Sequence, residues 1–319
     1  MPRVAILIAA SPTPAFYSQV AALSLCLRKL RWSRWQPSVH MYVGGEHEAG
    51  TRARWRPHLG DVEISWVSDS RFARDGDWAQ SDDVFRFAPR DADVLVAMDA
   101  DTLPVTDLED LLDRVHDTSS IAGVIAHYPL PSLSKVSPRD MWLHLARDVI
   151  DVPLEFAFTH TLMSPDLPAG ERVTPFYLNF GVVAFPRVTF DDVTARYLSI
   201  RPRLVGRMAF PDFSGQAALT LAIAAAGART LALPMRFNFP NDPVAEEMYP
   251  DELANVVIFH YLRTTNFDRH ELFVSAERYR AFLDLPLAGV DRAFQETVRA
   301  TFGSDYPFAP PPAPIARHT

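Results

Sequence analysis

Cysteine is all but missing from this chain, which has one, Cys26, in 319 residues. A single thiol excludes an internal disulfide and any Cys-rich zinc site, and it suits a reducing cytoplasm. Its place in the apolar run AALSLCL assigns it to core packing. Lysine is nearly as scarce: Lys29 and Lys135 stand alone among many arginines, the net charge is -8, and no basic run offers itself to nucleic-acid phosphates. Nucleic acid is therefore not expected as a partner. No stretch approaches the roughly 18 apolar residues of a membrane span. The opening MPRVAILIAASPTPA has a short apolar stretch and only Arg3 as a charged region, so it reads as a buried first strand rather than a signal peptide. No internal repeat is present.

What the chain does have is apolar content, 48%, enough to bury a large core in one enzyme-sized unit. Apolar runs and helical spacing alternate along it. RVAILIA reads as a strand, FYSQVAALSLCLRKL as a helix, SVHMYVGG and DVEISWVS as short strands, DVLVAM as another, and IAGVIAH as the next. TDLEDLLDRV reads as a helix, with Thr106 as its cap and Glu109 closing a capping box. The order βαββαβ with near-continuous apolar strands implies an α/β fold, a mostly parallel sheet covered on both faces. From Tyr128 to Thr174 the chain is irregular and rich in Pro, His and aromatics, which suggests an insertion over one sheet edge. PFYLNFGVVAFP, TLALPMRFNFP and NVVIFHYLR read as later strands, and DDVTARYLSIRPRL and SGQAALTLAIAAAG as helices. The tail 308–319, FAPPPAPIARHT, reads as flexible.

Ligands of such sheets bind beyond the carboxyl ends of strands, and there the sequence sets Asp99 and Asp101 one residue apart after VLVAM. In extended chain, residues i and i+2 point to one side, so both carboxylates can converge on a hard cation such as Mg²⁺ or Mn²⁺, which in turn can bridge a diphosphate. Chance in an acidic chain, or Asp101 capping the turn before Leu103-Pro104, would explain the pair equally simply. A haloacid-dehalogenase-type phosphatase would want Thr where Leu103 stands, and a sugar-nucleotide pyrophosphorylase would want glycines in AASPTPAF.

Blocks in order across residues 3 to 270 resemble the GT-A-fold glycosyltransferases, and among them glycosyltransferase family 8. AMDADTLPVTDLEDLL is similar to that family's metal-binding block, FYLNFGVVAF to its Asn-Ser-Gly strand, SGQAAL to its Asp-Gln-x-x-Leu helix start, LPMRFNF to the strand after it, and VVIFHYL to the strand ending in a metal-ligand histidine. The resemblance implies a Rossmann-like GT-A domain over residues 1–307. Its nucleotide-sugar half would cover about 1–127 and its acceptor half, with the insertion, about 128–307. It implies Asp99, Asp101 and His260 as ligands of Mn²⁺ or Mg²⁺, although a histidine on an apolar strand also serves in cores. Asn179 and Gln216 would reach the donor sugar, or else bond local backbone. Ala9, Ser11, Tyr17 and Ala100 would border the nucleotide, Tyr17 having helix packing as its alternative, and Arg86 would either bind donor or remain solvated. The implied donor is a UDP-sugar, UDP-glucose or UDP-galactose, and the implied acceptor a saccharide, lipid-linked glycan or small molecule.

The departures are specific. Gly215 stands where the family has Asp before Gln216, and the nearest acid is Asp212, either a substitute or a general base for an inverting reaction. Arg263 and Asn266 stand where the family has Gly and Lys, which gives Arg263 the diphosphate contact. A retaining transfer is expected, and a non-catalytic domain that binds nucleotide sugar or glycan is the alternative. Trp78, Trp142, His144, Phe156, Phe158 and His160 are the aromatic candidates for acceptor binding, with core packing as the other reading.

Overall fold

The alternation of β1 (Arg3–Ala10) sends Val4, Ile6 and Ile8 into one apolar cluster and Ala5 and Leu7 into another, which is why its sequence is apolar at every position. The computed structural model describes residues 1–45, 49–76, 78–131, 136–205, 207–208 and 210–308. From β1 the chain passes through α1 (Pro14–Lys29) to β2 (Gln36–Val43), and through α2 (Ala49–Leu59) to β3 (Glu63–Trp66). Helices α3 (Asp69–Asp75) and α4 (Trp78–Arg86) lead to β4 (Val94–Met98), followed by β5 (Thr102–Pro104), α5 (Glu109–Thr118) and β6 (Ile121–Ile125). The Pro- and aromatic-rich stretch carries α6 (Pro138–Val149), β7 (Phe158–Thr159), α7 (Ala169–Arg172) and β8 (Val173–Thr174). Then come β9 (Leu178–Pro186), α8 (Arg187–Val205), α9 (Ser214–Ala226) and β10 (Thr230–Ala232). The last described elements are β11 (Phe239–Pro240), α10 (Pro243–Met248), α11 (Pro250–Ala254), β12 (Ile258–His260), α12 (Ala276–Leu283) and α13 (Gly289–Phe302).

The main sheet has the order β10-β6-β9-β4-β1-β2-β3. Its pairs are parallel except where β9 runs antiparallel between β4 and β6. The expected mostly parallel sheet is therefore present, with its switch in strand order beside β4. Helix α1 packs on one face, in the cluster with Val4, Ile6 and Ile8, while α4, α8 and α9 contribute to the cluster on the other. A second sheet, β11-β12-β5, stands beyond the end of β4.

Three sequence expectations change. The βαββαβ order omits α2, α3 and α4, which intervene between β2 and β4. The capping box at Thr106 does not form, because α5 begins at Glu109. The Glu109 carboxylate instead accepts from the backbone N–H groups of Ser33, Arg34 and Trp35 and from the Ser33 hydroxyl, and so fastens the loop between α1 and β2. The tail expectation also shifts, since Phe308 is buried with its ring against Trp55, His58 and Tyr306. Residues 309–319, the remainder of that expected tail, lie outside the described residues. Among the described residues no helix is long and apolar enough to cross a membrane.

Candidate functional site

Strand β4 ends at Met98, and the chain then turns instead of continuing extended: the Thr102 N–H and hydroxyl both donate to the Asp99 carbonyl, at 3.2 and 2.8 Å. The two carboxylates thus come together by a turn and not by the i, i+2 geometry of a strand. β5 follows at once and pairs antiparallel with β12, in a register that sets His260 opposite Thr102. The Tyr261 N–H donates to the Asp101 carbonyl at 3.0 Å and fixes that register beside the turn. In consequence His260 Nε2 lies 3.3 Å from Asp101 Oδ1 and 3.7 Å from Asp99 Oδ2, and one donor atom from each residue falls within 4.8 Å of the others.

This close approach depends on Gly181. A Cβ there would run into the Asn238 amide oxygen and His260 Nδ1. A glycine in β9 lets the imidazole lie against the strand. The Gly181 carbonyl also accepts from the Asp99 N–H, so one residue positions two members of the triad.

Several ionisable groups crowd one another here: Asp99, Asp101, His260 and Arg269. Side-chain exposure is 6% for His260, 11% for Asp101 and 50% for Asp99, the last at the open side of the triad. Desolvation together with the Asp101 charge pushes the Asp99 carboxyl up to about 6. Burial would raise Asp101 too, but His260 and the guanidinium of Arg269 outweigh it and lower its pKa. Burial disfavours a charged His260, yet the two carboxylates prevail and raise its pKa. Two hard oxygen ligands and one imidazole, aimed at a common point, suit Mn²⁺ or Mg²⁺ better than a soft metal.

Around the triad opens a cavity of about 400 Å³. Of the residues singled out from sequence, Ala9, Asp99, Ala100, Asp101, Asn179, Gln216 and His260 all border it. The Asn179 amide oxygen accepts from the Gly181 N–H at 2.9 Å and from the Asn238 NH₂ at 3.0 Å, so its own NH₂ is the end with chemistry left for a ligand. Gln216 sits in the first turn of α9, whose following face is core.

Other residues fall elsewhere. Ser11 lies in the turn before α1, with its carbonyl accepting from the Thr13 N–H, and it is not among the cavity's lining residues. Tyr17 is wholly buried in the core, and its neighbour Phe16 faces the cavity. Arg86 ends α4, 4.0 Å from the Asp83 carboxylate and outside the cavity. Asp212 is exposed on the turn before α9, while the next residue, Phe213, borders the cavity. Arg263 is paired through two nitrogens with Asp242, at 3.0 and 2.6 Å, and Asn266 donates to Asp291 at 2.6 Å. Arg263 is thus held by Asp242, and the guanidinium in contact with the triad is that of Arg269, which donates to Asp101. Its backbone carbonyl accepts from Gln19 of α1, which binds this loop to the opposite wall. Nothing in NFDRHELF marks Arg269 or His270 as cavity residues; they follow the histidine strand at an irregular distance.

The aromatic candidates mostly pack. Trp142 is fully buried against Tyr177, His160 is buried with Nδ1 3.0 Å from the Ala126 carbonyl oxygen, and Phe158 packs on Phe176. Phe156 and Trp78 lie beneath the guanidinium groups of Arg139 and Arg201, and His144 is exposed on α6. A larger cavity, about 740 Å³, is bordered by Arg54, His58, Arg280 and Phe308 and by none of the residues discussed above as ligands.

No protein-family model and no curated protein sequence matches this chain. Solved structures do. The galactosyltransferase LgtC, in complex with donor and acceptor sugar analogues, is similar with a TM-score of 0.51 and 16% identity, over 92% of this chain and 95% of that one. The apo form of mouse xyloside xylosyltransferase 1 gives 0.48 and 14%, over 83% and 100%. The likeness to LgtC, over 92% of this chain, shows the GT-A fold.

Proposed function

We propose that this chain is a metal-dependent glycosyltransferase that moves a hexose from a nucleotide-diphosphate sugar, with UDP as the nucleotide, to an acceptor hydroxyl. The observation that carries this reading is the convergence of Asp99, Asp101 and His260 on one point at the carboxyl end of β4, within a cavity that Asn179 and Gln216 also border. Those three residues would hold Mn²⁺ or Mg²⁺, and a divalent cation there would supply Lewis-acid stabilisation of a diphosphate leaving group.

The chain's own groups divide the remaining work. Arg269, in ion-pair contact with Asp101 beside the triad, would offer its guanidinium to the diphosphate. The Asn179 NH₂ and the Gln216 amide offer hydrogen bonds to the sugar and to charge growing near its anomeric carbon. Phe16 and Leu262 line the walls and limit the water that could compete with the acceptor. Retention is favoured because Asp212, the acid an inverting reaction would use as base, is exposed and not among the lining residues. The departing phosphate would then take the acceptor's proton. The acceptor is a saccharide, a lipid-linked glycan or a small molecule that presents a hydroxyl at the open side of Asp99.

Calorimetric titration with UDP, with and without Mn²⁺, tests the reading, followed by turnover of a UDP-sugar panel. The expected outcome is UDP binding that needs Mn²⁺, falls at least about tenfold in Asp101→Asn, and is accompanied by slow hydrolysis of one donor. UDP affinity that is unchanged by metal and by the substitution would remove the metal-dependent transferase.

A further inference from the structure

Beside the metal cleft lies a second, smaller recess of about 60 Å³. Ala9 and Asp99 border both spaces, so the recess opens at the triad. Each partner residue of the cleft also has a neighbour in the recess. Phe180 follows Asn179, and Leu219 lies one helical turn beyond Gln216. A sugar joined to a diphosphate at the triad would lie near the recess, because Ala9 and Asp99 border both spaces.

The lining is almost wholly apolar. Leu7, Val84, Phe85, Met98, Phe180 and Leu219 form most of it, and Ser81 and Asp99, at the triad, are its only polar lining residues among those described. At Gly215, which lies outside the lining, a Cβ would meet the Phe180 ring at 3.3 Å and the Tyr197 hydroxyl at 3.5 Å, so Phe180 packs close to the start of α9. A fully hydroxylated sugar edge turned into such a lining gives up hydrogen bonds to water without replacing them, at a cost of roughly 1–3 kcal/mol for each hydroxyl left unpaired. A methyl group gains from the same surroundings. At about 60 Å³ the recess has room for a methyl group, which is close in size to a water, and a water needs roughly 10–15 Å³ on the same measure.

We propose that this recess receives a methyl group carried by the donor's sugar, so that the donor is a methyl-bearing hexose and not glucose or galactose. The inference rests on the transferase reading above and narrows its substrate. Two sources present a methyl on a hexose: the terminal carbon of a 6-deoxyhexose and the acetamido group of an N-acetylhexosamine.

The test titrates the full chain, with Mn²⁺ in excess, against UDP, UDP-glucose, UDP-6-deoxyglucose and UDP-N-acetylglucosamine. One methyl-bearing donor is expected to bind roughly tenfold tighter than UDP-glucose, and the one that does so identifies the source of the methyl. Val84→Thr, which keeps the side chain's shape and adds a hydroxyl, is expected to cut that preference by at least about threefold. Phe180→Ser should cut it further, and Val84→Thr still reports if Phe180→Ser does not fold. UDP-glucose binding as tightly as both methyl-bearing donors, while UDP itself binds with Mn²⁺, overturns the recess assignment and leaves the transferase reading standing. Failure of UDP itself to bind with Mn²⁺ overturns both together.

Discussion

Arg263 and Arg269 carry the same charge and have different partners. Arg263 is committed to Asp242 through two nitrogens, whereas Arg269 contacts Asp101 at the rim of the cavity. Arg269→Ala is therefore expected to weaken UDP binding in the presence of Mn²⁺ by roughly tenfold, the value of one charge-assisted contact to phosphate. Arg263→Ala should leave UDP affinity within about twofold and lower the unfolding temperature instead. Titration and thermal melts of the two variants would decide the matter, and the reverse pattern would return the diphosphate to Arg263. At this scale the sequence was legible where a motif fixes chemistry in a short span. Asp99 and Asp101 stood out because two acids close an apolar strand, and His260 through the resemblance of VVIFHYL to a strand ending in a metal-ligand histidine. The manner of their convergence was not legible, since a turn at Asp99–Thr102 and an extended strand place the same residue types at the same spacing. Arg269 was hidden because its approach to Asp101 depends on the path of a loop, which no period records.

Helix α5 shows how an element can be recognised while its terminus is misjudged. Glu109 sits at the capping-box spacing from Thr106, yet it is 1% exposed and fastens the loop that delivers the chain from α1 into β2. Burial would raise its pKa, but the N–H groups of Ser33, Arg34 and Trp35 and the Ser33 hydroxyl prevail and hold the carboxyl down at about 2, against an ordinary value near 4.5. A depressed pKa in the folded state contributes stability that is fully present above about 4.5 and is lost as the pH falls towards about 2. Glu109→Gln is expected to cost roughly 1–3 kcal/mol near neutral pH and to flatten the loss of stability across that acid window, which denaturant melts at several pH values would measure. Equal acid sensitivity in both proteins would show that other carboxylates govern the window. The helices that escaped the sequence reading did so for a related reason. In α2 the run AGTRARWRPHL buries only a few residues, Trp55 and Leu59 among them, and contains a proline and three arginines, so no apolar stripe announces it. Strands β1, β4 and β6 were plain because both faces of each are covered and their apolar runs are unbroken.

Across the whole molecule, the triad draws its members from two separate sheets. Asp99 leaves β4 of the seven-stranded sheet, His260 ends β12 of the three-stranded one, and Asp101 stands on the turn that joins them. A cation shared by these residues would act as a rivet across the seam. Mn²⁺ at about 100 times its dissociation constant should then add about 2.7 kcal/mol to stability, a rise of a few degrees in the melting temperature that Asp101→Asn abolishes. A melting temperature indifferent to Mn²⁺, in protein that binds it, would mean that the apolar contacts alone hold the seam closed. With the rivet in place, resistance to heat becomes a gauge of metal supply. Removing the cation would then weaken the fold at the join of the two sheets.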